Sequence, residues 1–466
     1  MRRPRGLRKT EQRLRFSELV GERLRANKVV RVFSIADFRY YWIGAFISFS
    51  GSWIQRIAEG YFVFQLTHNE AKLAFVSFCS SIPVFFLGFV AGSFSDIFDK
   101  RKVLVVTQAI YAIGAIYLAI ATWGHFVTYF QIVFVALLLG VVSTIEMPTR
   151  QSVVSRVVPV GDLPTAIPLT ATTFNMARIV GPALGSVMLA AFGVAACYFA
   201  NGISFIALIW TALAIKADLS NPPRVKQPVR DLIFEGARFT MMEVRLRTLF
   251  ILESITGVFG IFYIGLLPAY TGETLGLDRI SDRAAKAGLG LATTCVGVGA
   301  LVGLFIITAL SESPRRAFLI RMSMTLMGLS LLALAAIRQP WLAYPVLAVT
   351  GMCSIIQFNT TNALFQLLSP EERRGRVLAM HIWSLNGLSP FGILLFGWIA
   401  SASHIWPHTH LGHYGPFRAP TDVGGAALAM LFGGAVMVIG AAGAWLSRRG
   451  LAQLSPDLPQ ELGTRD

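Results

Sequence analysis

The chain has 466 residues, of which 54% are hydrophobic and only 14% are charged. Soluble domains carry about 25% charged residues, so this composition excludes a water-soluble globular protein and indicates a polytopic membrane protein. The formal net charge of +16 would suggest nucleic-acid binding in a soluble protein, but basic cytoplasmic loops account for it in a membrane protein. We therefore expect no nucleic-acid partner and a lipid bilayer as the surroundings.

A basic segment precedes the apolar part of the chain. Residues 1–38 lack the continuous apolar stretch of a signal peptide and are expected to stay in the cytosol as a tail. A transmembrane helix needs about 20 apolar residues. Twelve such spans are predicted, and they begin near Tyr41, Leu73, Val103, Val127, Ala166, Val194, Leu249, Leu289, Ala317, Leu342, Val377 and Val423.

The basic residues predict how these spans are oriented. Of the 41 Lys and Arg residues, 33 fall in segments on the side of the N terminus, 6 fall on the opposite side, and Arg56 and Arg178 lie within spans. Cytoplasmic loops carry the excess of basic residues in membrane proteins. The sequence therefore predicts that both termini are cytoplasmic, which requires an even number of spans.

A polar connection with seven basic residues divides the spans six and six, and the two halves repeat. Pro159 and Gly181 in the first half correspond, at an offset of 211 residues, to Pro370 and Gly392 in the second. Such a repeat is typical of transporters whose halves rock about a site at the bilayer midplane. The predicted divisions are a tail 1–38, a first half 39–216, a linker 217–247, a second half 248–447 and a C-terminal tail 448–466.

Four segments resemble the major facilitator superfamily, and specifically its enterobactin-exporter-like branch of bacterial drug and siderophore exporters. These segments are 51–67 (GSWIQRIAEGYFVFQLT), 92–102 (GSFSDIFDKRK), 148–185, and 374–376 (RGR). The resemblance covers nearly the whole chain. It implies twelve helices in two pseudo-symmetric six-helix halves, a monomer, and a place in the bacterial cytoplasmic (inner) membrane.

The matching segments contain candidates for a gate at the cytoplasmic side. Asp96 can pair with Arg150 or accept hydrogen bonds from a helix N terminus. A motif of glycines around a proline predicts a bendable, closely packed helix, which in the family is associated with proton-exchanging exporters. Alternatives are a solvated turn with basic residues, or helix packing alone. The gate candidates are Gly92, Asp96, Arg101, Arg150, Arg178, Gly181, Pro182, Gly185, Arg374, Gly375 and Arg376.

The sequence departs from the family pattern in two places. Ile97 and Asp99 stand where the general pattern has a basic residue and a glycine. The arginine that many drug/proton antiporters carry on the fourth helix is missing from residues 134–140. The proton route is therefore left open by the resemblance.

Carboxylates within spans are candidates for proton coupling, because burial away from water favours the protonated form. We predict Glu59 and Glu253 as the proton-coupling residues, since the first and seventh helices resemble the pair that lines the family's cavity. The alternatives are a static ion pair of Glu59 with Arg56, three residues earlier, and an interfacial position for Glu253 near the cytosol. For His381, an interfacial structural role is the leading interpretation.

Polar side chains within the first and tenth spans are candidates for the substrate cavity. Amide side chains in an apolar segment can line a wet cavity, but hydrogen bonding between helices explains them equally well. The predicted cavity residues are Gln55, Arg56, Gln357, Asn359 and Asn362.

A loop between the last two spans holds four histidines, His404, His408, His410 and His413. Such spacing permits a Zn or Cu site, yet a solvated loop is the preferred interpretation, and we predict no metal and no cofactor. No phosphate-binding loop or hydrolase motif is present in the sequence, so we expect a transporter rather than an enzyme.

The sequence thus predicts secondary-active export of a small organic solute in exchange for protons, by alternating access. The partners would be the solute, protons and the lipid bilayer. A uniporter or importer of the same fold is the first alternative. A membrane sensor or scaffold without transport activity is the second.

Overall fold

A computed structural model of the chain describes residues 28–95, 99–220, 229–310, 316–370, 373–402 and 425–446. Within these ranges the regular elements are all helices, with no strand. The predicted all-α class is therefore confirmed for the described part of the chain. The predicted gate residue Asp96 and the four loop histidines lie outside the described residues.

We number the helices in chain order. They are α1 Lys28–Ser34, α2 Ala36–Thr67, α3 Glu70–Ser95, α4 Lys100–Trp123, α5 Tyr129–Val157, α6 Leu163–Ala214, α7 Val229–Met242, α8 Val244–Phe259, α9 Tyr263–Ala269, α10 Asp282–Ala309, α11 Arg316–Ala336, α12 Pro340–Leu368, α13 Arg374–Ile382, α14 Ser389–Ala402 and α15 Gly425–Leu446. A 3-10 turn, Val160–Asp162, precedes α6, and π-helical turns Tyr270–Thr274 and Trp383–Gly387 follow α9 and α13.

Ten helical stretches in the described ranges are long and apolar enough to cross a membrane. Their outer faces expose large aromatic side chains, such as Trp123 (82% exposed), Phe130 (79%) and Phe305 (72%). Apolar surface of this extent is suited to lipid rather than water. The chain is therefore a multi-pass membrane protein. Helix α2 is not among the ten, since Gln55, Arg56 and Glu59 make part of it polar.

The starts of two helices follow directly from capping residues. Asp99 accepts hydrogen bonds from the backbone N–H groups of Arg101 (2.8 Å) and Lys102 (3.3 Å) at the start of α4. Thr128 and Gln131 form a capping box at the start of α5. Such caps satisfy N–H groups that have no partner within the helix. The residue that departs from the family pattern, Asp99, thus has a structural role here.

Helix α6 is interrupted at Gly193, where φ is 80° and ψ is −175°. Only glycine adopts this conformation readily. Before Gly193, later residues of α6 contact later residues of α2. After Gly193, later residues of α6 contact earlier residues of α2, so the chain reverses direction at Gly193. The contacts are Trp42 with Leu169 and Ile54 with Gly185 before the break, and Gln55 with Asn201 and Gly44 with Thr211 after it.

We call the side of the bundle where α2 begins the tail side, and the opposite side the far side. Helices before and after the polar connection contact each other from the far side to mid-depth. Glycines permit two of these close approaches. The contacts are Tyr61 with Asp282, Asn69 with Ser401, Ala74 with Gly397, Ser186 with Gly290, and Phe85 with Trp383.

The predicted linker contains a helix that the sequence pattern does not predict. Helix α7 lies within residues 217–247, and α8 begins at Val244, before the predicted start of the second half at 248. Glu235 of α7 forms salt bridges with Arg373 (2.9 Å) and Arg376. Gly236 lies so close to Arg376 that a Cβ atom would stand 2.9 Å from its carbonyl oxygen. The predicted gate residue Arg376 therefore connects α13 to the linker helix.

Candidate transport site

A buried glutamate and a buried histidine of the second half form one pair. Glu253 of α8 and His381 of α13 are 0% and 1% exposed. Glu253 Oε2 lies 2.6 Å from His381 Nδ1 and also accepts a hydrogen bond from Ser384 Oγ at 3.0 Å. Glu253 Oε1 and His381 Nε2 are buried without a hydrogen-bond partner among the described residues. This arrangement can hold or release a proton inside the membrane.

The backbone around the pair is unusually tight. Ser384 belongs to the π-helical turn after α13, and π turns of this kind often mark functional sites. A Cβ atom on Gly257 would lie 2.9 Å from the Ser384 carbonyl oxygen, so α8 packs directly on this turn. Trp383, one residue earlier, donates from Nε1 to the Phe85 carbonyl oxygen of α3 at 3.4 Å. The pair is thus connected to α3 through Ser384 and its neighbour Trp383.

A second charged cluster lies in the first half, toward the tail side. Arg150 forms a salt bridge with Glu146, one helical turn earlier on α5. Gln108 Nε2 (2.8 Å) and the Tyr111 hydroxyl (3.2 Å) donate to the Glu146 carboxylate, and Arg150 Nη2 donates to Ser48 Oγ at 3.2 Å. This network joins α2, α4 and α5. Arg150 therefore has a carboxylate partner other than the predicted Asp96.

A third group of charges lies on α2 and α6 near mid-depth. The Arg56 guanidinium stands 4.7 Å from the centre of the Trp53 ring, and that of Arg178 stands 5.9 Å from the same ring. Gln55 Nε2 donates to Glu59 Oε2 at 3.3 Å. Among the described residues Arg56 and Glu59 form no salt bridge, so the static ion pair considered from the sequence is absent. The structure places Arg178 with the cavity candidates rather than at the tail side.

The predicted cavity amides of α12 have different hydrogen-bond partners. Gln357 is buried and donates to Thr256 Oγ1 of α8 at 2.5 Å. Asn359 donates to the Ile355 carbonyl oxygen at 3.1 Å, and Asn362 Oδ1 accepts from Gln366 at 3.0 Å. Gln357 thus forms a hydrogen bond between two helices, which is the alternative to lining a cavity. Asn359 and Asn362 bond within α12 and are only partly buried, so a place beside the cavity stays a prediction for them.

The glycine–proline motif lies in the contact between α2 and the first part of α6. Gly181, Pro182 and Gly185 are buried. A Cβ atom on Gly181 would stand 2.5 Å from Trp53 Cβ and 2.9 Å from the Ser50 carbonyl oxygen. Close packing of two helices therefore requires glycine at this position.

We expect Gly181→Leu to destabilise the protein by about 2 kcal/mol, because the larger side chain must displace helix backbone. Thermal unfolding of the detergent-solubilised protein should show a clearly lower Tm. Gly443→Leu is the matched control, since that helical glycine has no atom within 4 Å of its Cβ position. Equal Tm values for the two variants would contradict the packing role.

The remaining gate candidates have different surroundings. Arg101 donates from Nη2 to the carbonyl oxygens of Ile215 (2.6 Å) and Ala217 (3.1 Å), which follow the end of α6. This contact satisfies carbonyl groups at a helix C terminus. Gly375 is exposed, with no atom near its Cβ position. Gly92 and Arg374 lie in α3 and α13, but their surroundings are outside the described part.

Several polar residues that complete these networks were missed from the sequence. Asn201 of α6 donates to Gln55 Oε1 at 2.6 Å, and Ser204 Oγ donates to Asn201 Oδ1 at 3.0 Å. Gln108 and Ser384 have equivalent roles in the other two clusters. Asn201 and Gln108 are amide side chains within long apolar runs, and this feature of the sequence could have identified them. Within the described residues no group of three or more His, Cys, Asp or Glu side chains could hold a metal.

Comparison with solved structures shows the fold of known transporters. A structure of a variant of the nucleoside transporter NupG superposes with a TM-score of 0.70 at 13% identity, covering 88% of this chain and 99% of that one. A bacterial homologue of the human lysosomal transporter Spinster, in an inward-facing and unoccupied conformation, gives 0.66 at 13% identity and covers 90% and 98%.

Curated sequences point in the same direction. The staphyloferrin A transporter of Staphylococcus aureus is 23% identical over 362 residues, which is 77% of this chain and 88% of that protein. The multidrug efflux pump Tap of Mycobacterium tuberculosis is 23% identical over 364 residues, or 76% and 84%. Residues 30–412 match the family described as transmembrane secretion effector. The resemblance stated from the sequence is confirmed: the chain belongs to this family of the major facilitator superfamily, and it is a membrane transporter and not an enzyme.

Proposed function

We propose that this protein is a secondary-active transporter that exports a small organic solute in exchange for protons. The observation that carries the proposal is the buried Glu253–His381 pair, since ionisable groups inside a membrane bundle are costly and mark ion and proton pathways. Export is supported by one of the relatives named above, the multidrug efflux pump Tap, and transport of a small organic solute is also consistent with the staphyloferrin A transporter. Glu59, which is partly buried at mid-depth on α2, is the second proton-coupling candidate.

The proposed architecture has twelve spans in two halves of six. The ten apolar stretches include 160–214, which reverses at Gly193 and so supplies two spans. The 32-residue helix α2 is long enough for the twelfth, because each residue adds about 1.5 Å. We place the tail side in the cytosol of a bacterial cell, with the protein in the inner membrane as a monomer. The excess of basic residues on that side supports this orientation.

Contacts around the pair suggest how a proton would drive the halves apart. A proton on Glu253 weakens its interaction with His381 and Ser384, and Ser384 lies in the turn that carries Trp383. Trp383 contacts Phe85 of the first half, with ring centres 5.1 Å apart. Protonation can therefore shift a contact between the halves, and alternating access requires such contacts to break and re-form.

Purified protein in proteoliposomes tests the proposal. An imposed pH gradient should drive movement of at least one member of a panel of lipophilic dyes and chelates, and an uncoupler should abolish it. Empty liposomes with the same gradient serve as the control for passive leakage. Solute movement that is the same with and without the gradient would contradict proton exchange and indicate a uniporter.

A further inference from the structure

The charges at mid-depth in the first half are unbalanced. Arg56 has Glu59 and Arg178 as its charged neighbours, and both guanidinium groups lie beside Trp53. Among the described residues neither arginine forms a salt bridge or donates a hydrogen bond. The one carboxylate, Glu59, receives the Gln55 amide. Two guanidinium groups beside one carboxylate leave a positive charge in excess, inside a bundle where unpaired charge is costly.

Arg56 points away from the lipid. Ile43 and Ile47 are 45% and 41% exposed and mark the outer face of α2. Arg56 is nine residues after Ile47, which places it on the opposite face of the helix at about 180°. Its side chain is nevertheless exposed. Exposure on the inner face of a membrane helix indicates that Arg56 borders a cavity inside the bundle.

Aromatic rings surround the two arginines. Phe174 of α6 packs edge-on against Phe49 of α2, with ring centres 5.4 Å apart, and lies 6.4 Å from the Trp53 ring. Phe174 is 45% exposed, so its ring is accessible beside the charged groups. Positive charge next to accessible rings is suited to a ligand that is both anionic and partly apolar.

We propose that Arg56 and Arg178 bind a carboxylate of an organic anion, and that the rest of the anion lies against Trp53 and Phe174. Guanidinium groups suit this role because they offer several donors in a planar arrangement that matches a carboxylate. The inference rests on the proposed transport function, whose substrate class it names. The proposal is tested by equilibrium binding. If proton-coupled transport were not observed, the binding of the anion to Arg56 and Arg178 could still be measured.

Binding to the detergent-solubilised, full-length protein tests this assignment without any gradient. Two xanthene dyes of similar size serve as probes, the anionic carboxyfluorescein and the cationic rhodamine 6G, and fluorescence anisotropy reports saturation. We expect saturable binding of carboxyfluorescein in preference to rhodamine 6G. Arg56→Gln and Arg178→Gln should each weaken anion binding by about tenfold or more, since each removes one of two charged partners.

Matched variants separate the charge from the fold. Arg39→Gln removes an exposed arginine at the tail-side start of the same helix, where it donates to the Phe33 carbonyl oxygen, and should bind the anion like the wild type. Arg178→Lys keeps the charge and should retain more affinity than Arg178→Gln. The assignment is overturned by absent anion binding, by preference for the cation, or by unchanged anion affinity in both glutamine variants of Arg56 and Arg178. Monodisperse elution and an unchanged Tm verify that each variant is folded.

Discussion

Replacement of Glu253 by glutamine is expected to reduce pH-gradient-driven transport to the level seen with an uncoupler. Glutamine has nearly the same shape and can still accept the hydrogen bond from Ser384, but it cannot take up or release a proton. Exchange of labelled for unlabelled solute without a gradient should persist, because it needs substrate binding and rocking of the halves but no proton transfer. Proteoliposome uptake with and without a gradient measures both quantities.

Glu243→Gln is the matched control, since this carboxylate stands immediately before α8 and outside the buried network. It should leave both transport modes unchanged. His381→Asn is a second variant, whose amide can still donate to Glu253, and we expect it to change the pH at which transport is half-maximal. Undiminished gradient dependence in Glu253→Gln would show that the proton is carried elsewhere, with Glu59 as the next residue to test.

Breaking the Glu146–Arg150 pair should have the largest effect on stability. Both side chains are buried, and the removal of one partner leaves the other as an unpaired charge, which typically costs about 3–5 kcal/mol. Glu146→Gln and Arg150→Met should each lower Tm strongly. The double variant should regain much of the loss, because no unpaired charge then remains.

Arg156→Met is the control for Arg150→Met, because it also removes an arginine from α5. Its side chain is exposed at the tail-side end of α5, so its Tm should stay near that of the wild type. Thermal unfolding of all four variants in one detergent gives the required values. Equal losses for Arg150→Met and Arg156→Met, or additive losses in the double variant, would mean that the buried pair contributes no coupling energy.

Much of the helical arrangement could be predicted from the sequence, because spans in a bilayer have a fixed minimum length and a strong apolar bias. The sixth span was predicted to begin at Val194, one residue after the break at Gly193. Helix α7 was missed because prolines at 222, 223 and 228 suggested an irregular linker. A helix of 14 residues is too short to be recognised from propensity alone, and it depends on contacts with neighbouring helices such as α13 and α8.

The candidate sites were harder to predict than the spans. Glu253 could be identified because a carboxylate in an apolar run is conspicuous. Its partner could not, since His381 is 128 residues away and only five residues after Arg376, which suggested an interfacial position. A sequence shows which polar groups enter the membrane, but the pairing depends on how the helices rotate. The same reason explains why the salt bridge of Arg150 with Glu146 was not predicted, whereas a pairing of Arg150 with Asp96, which lies outside the described residues, stays a prediction.

The reversal of α6 at a single residue restricts how the first half can move. Since Gly193 alone separates the two parts of this helix, there is no spare length that would let one part tilt or slide without the other. Both parts also pack along α2. Relative movement of the two parts would break these contacts with α2, so we expect the three stretches to move together in the proposed transport cycle.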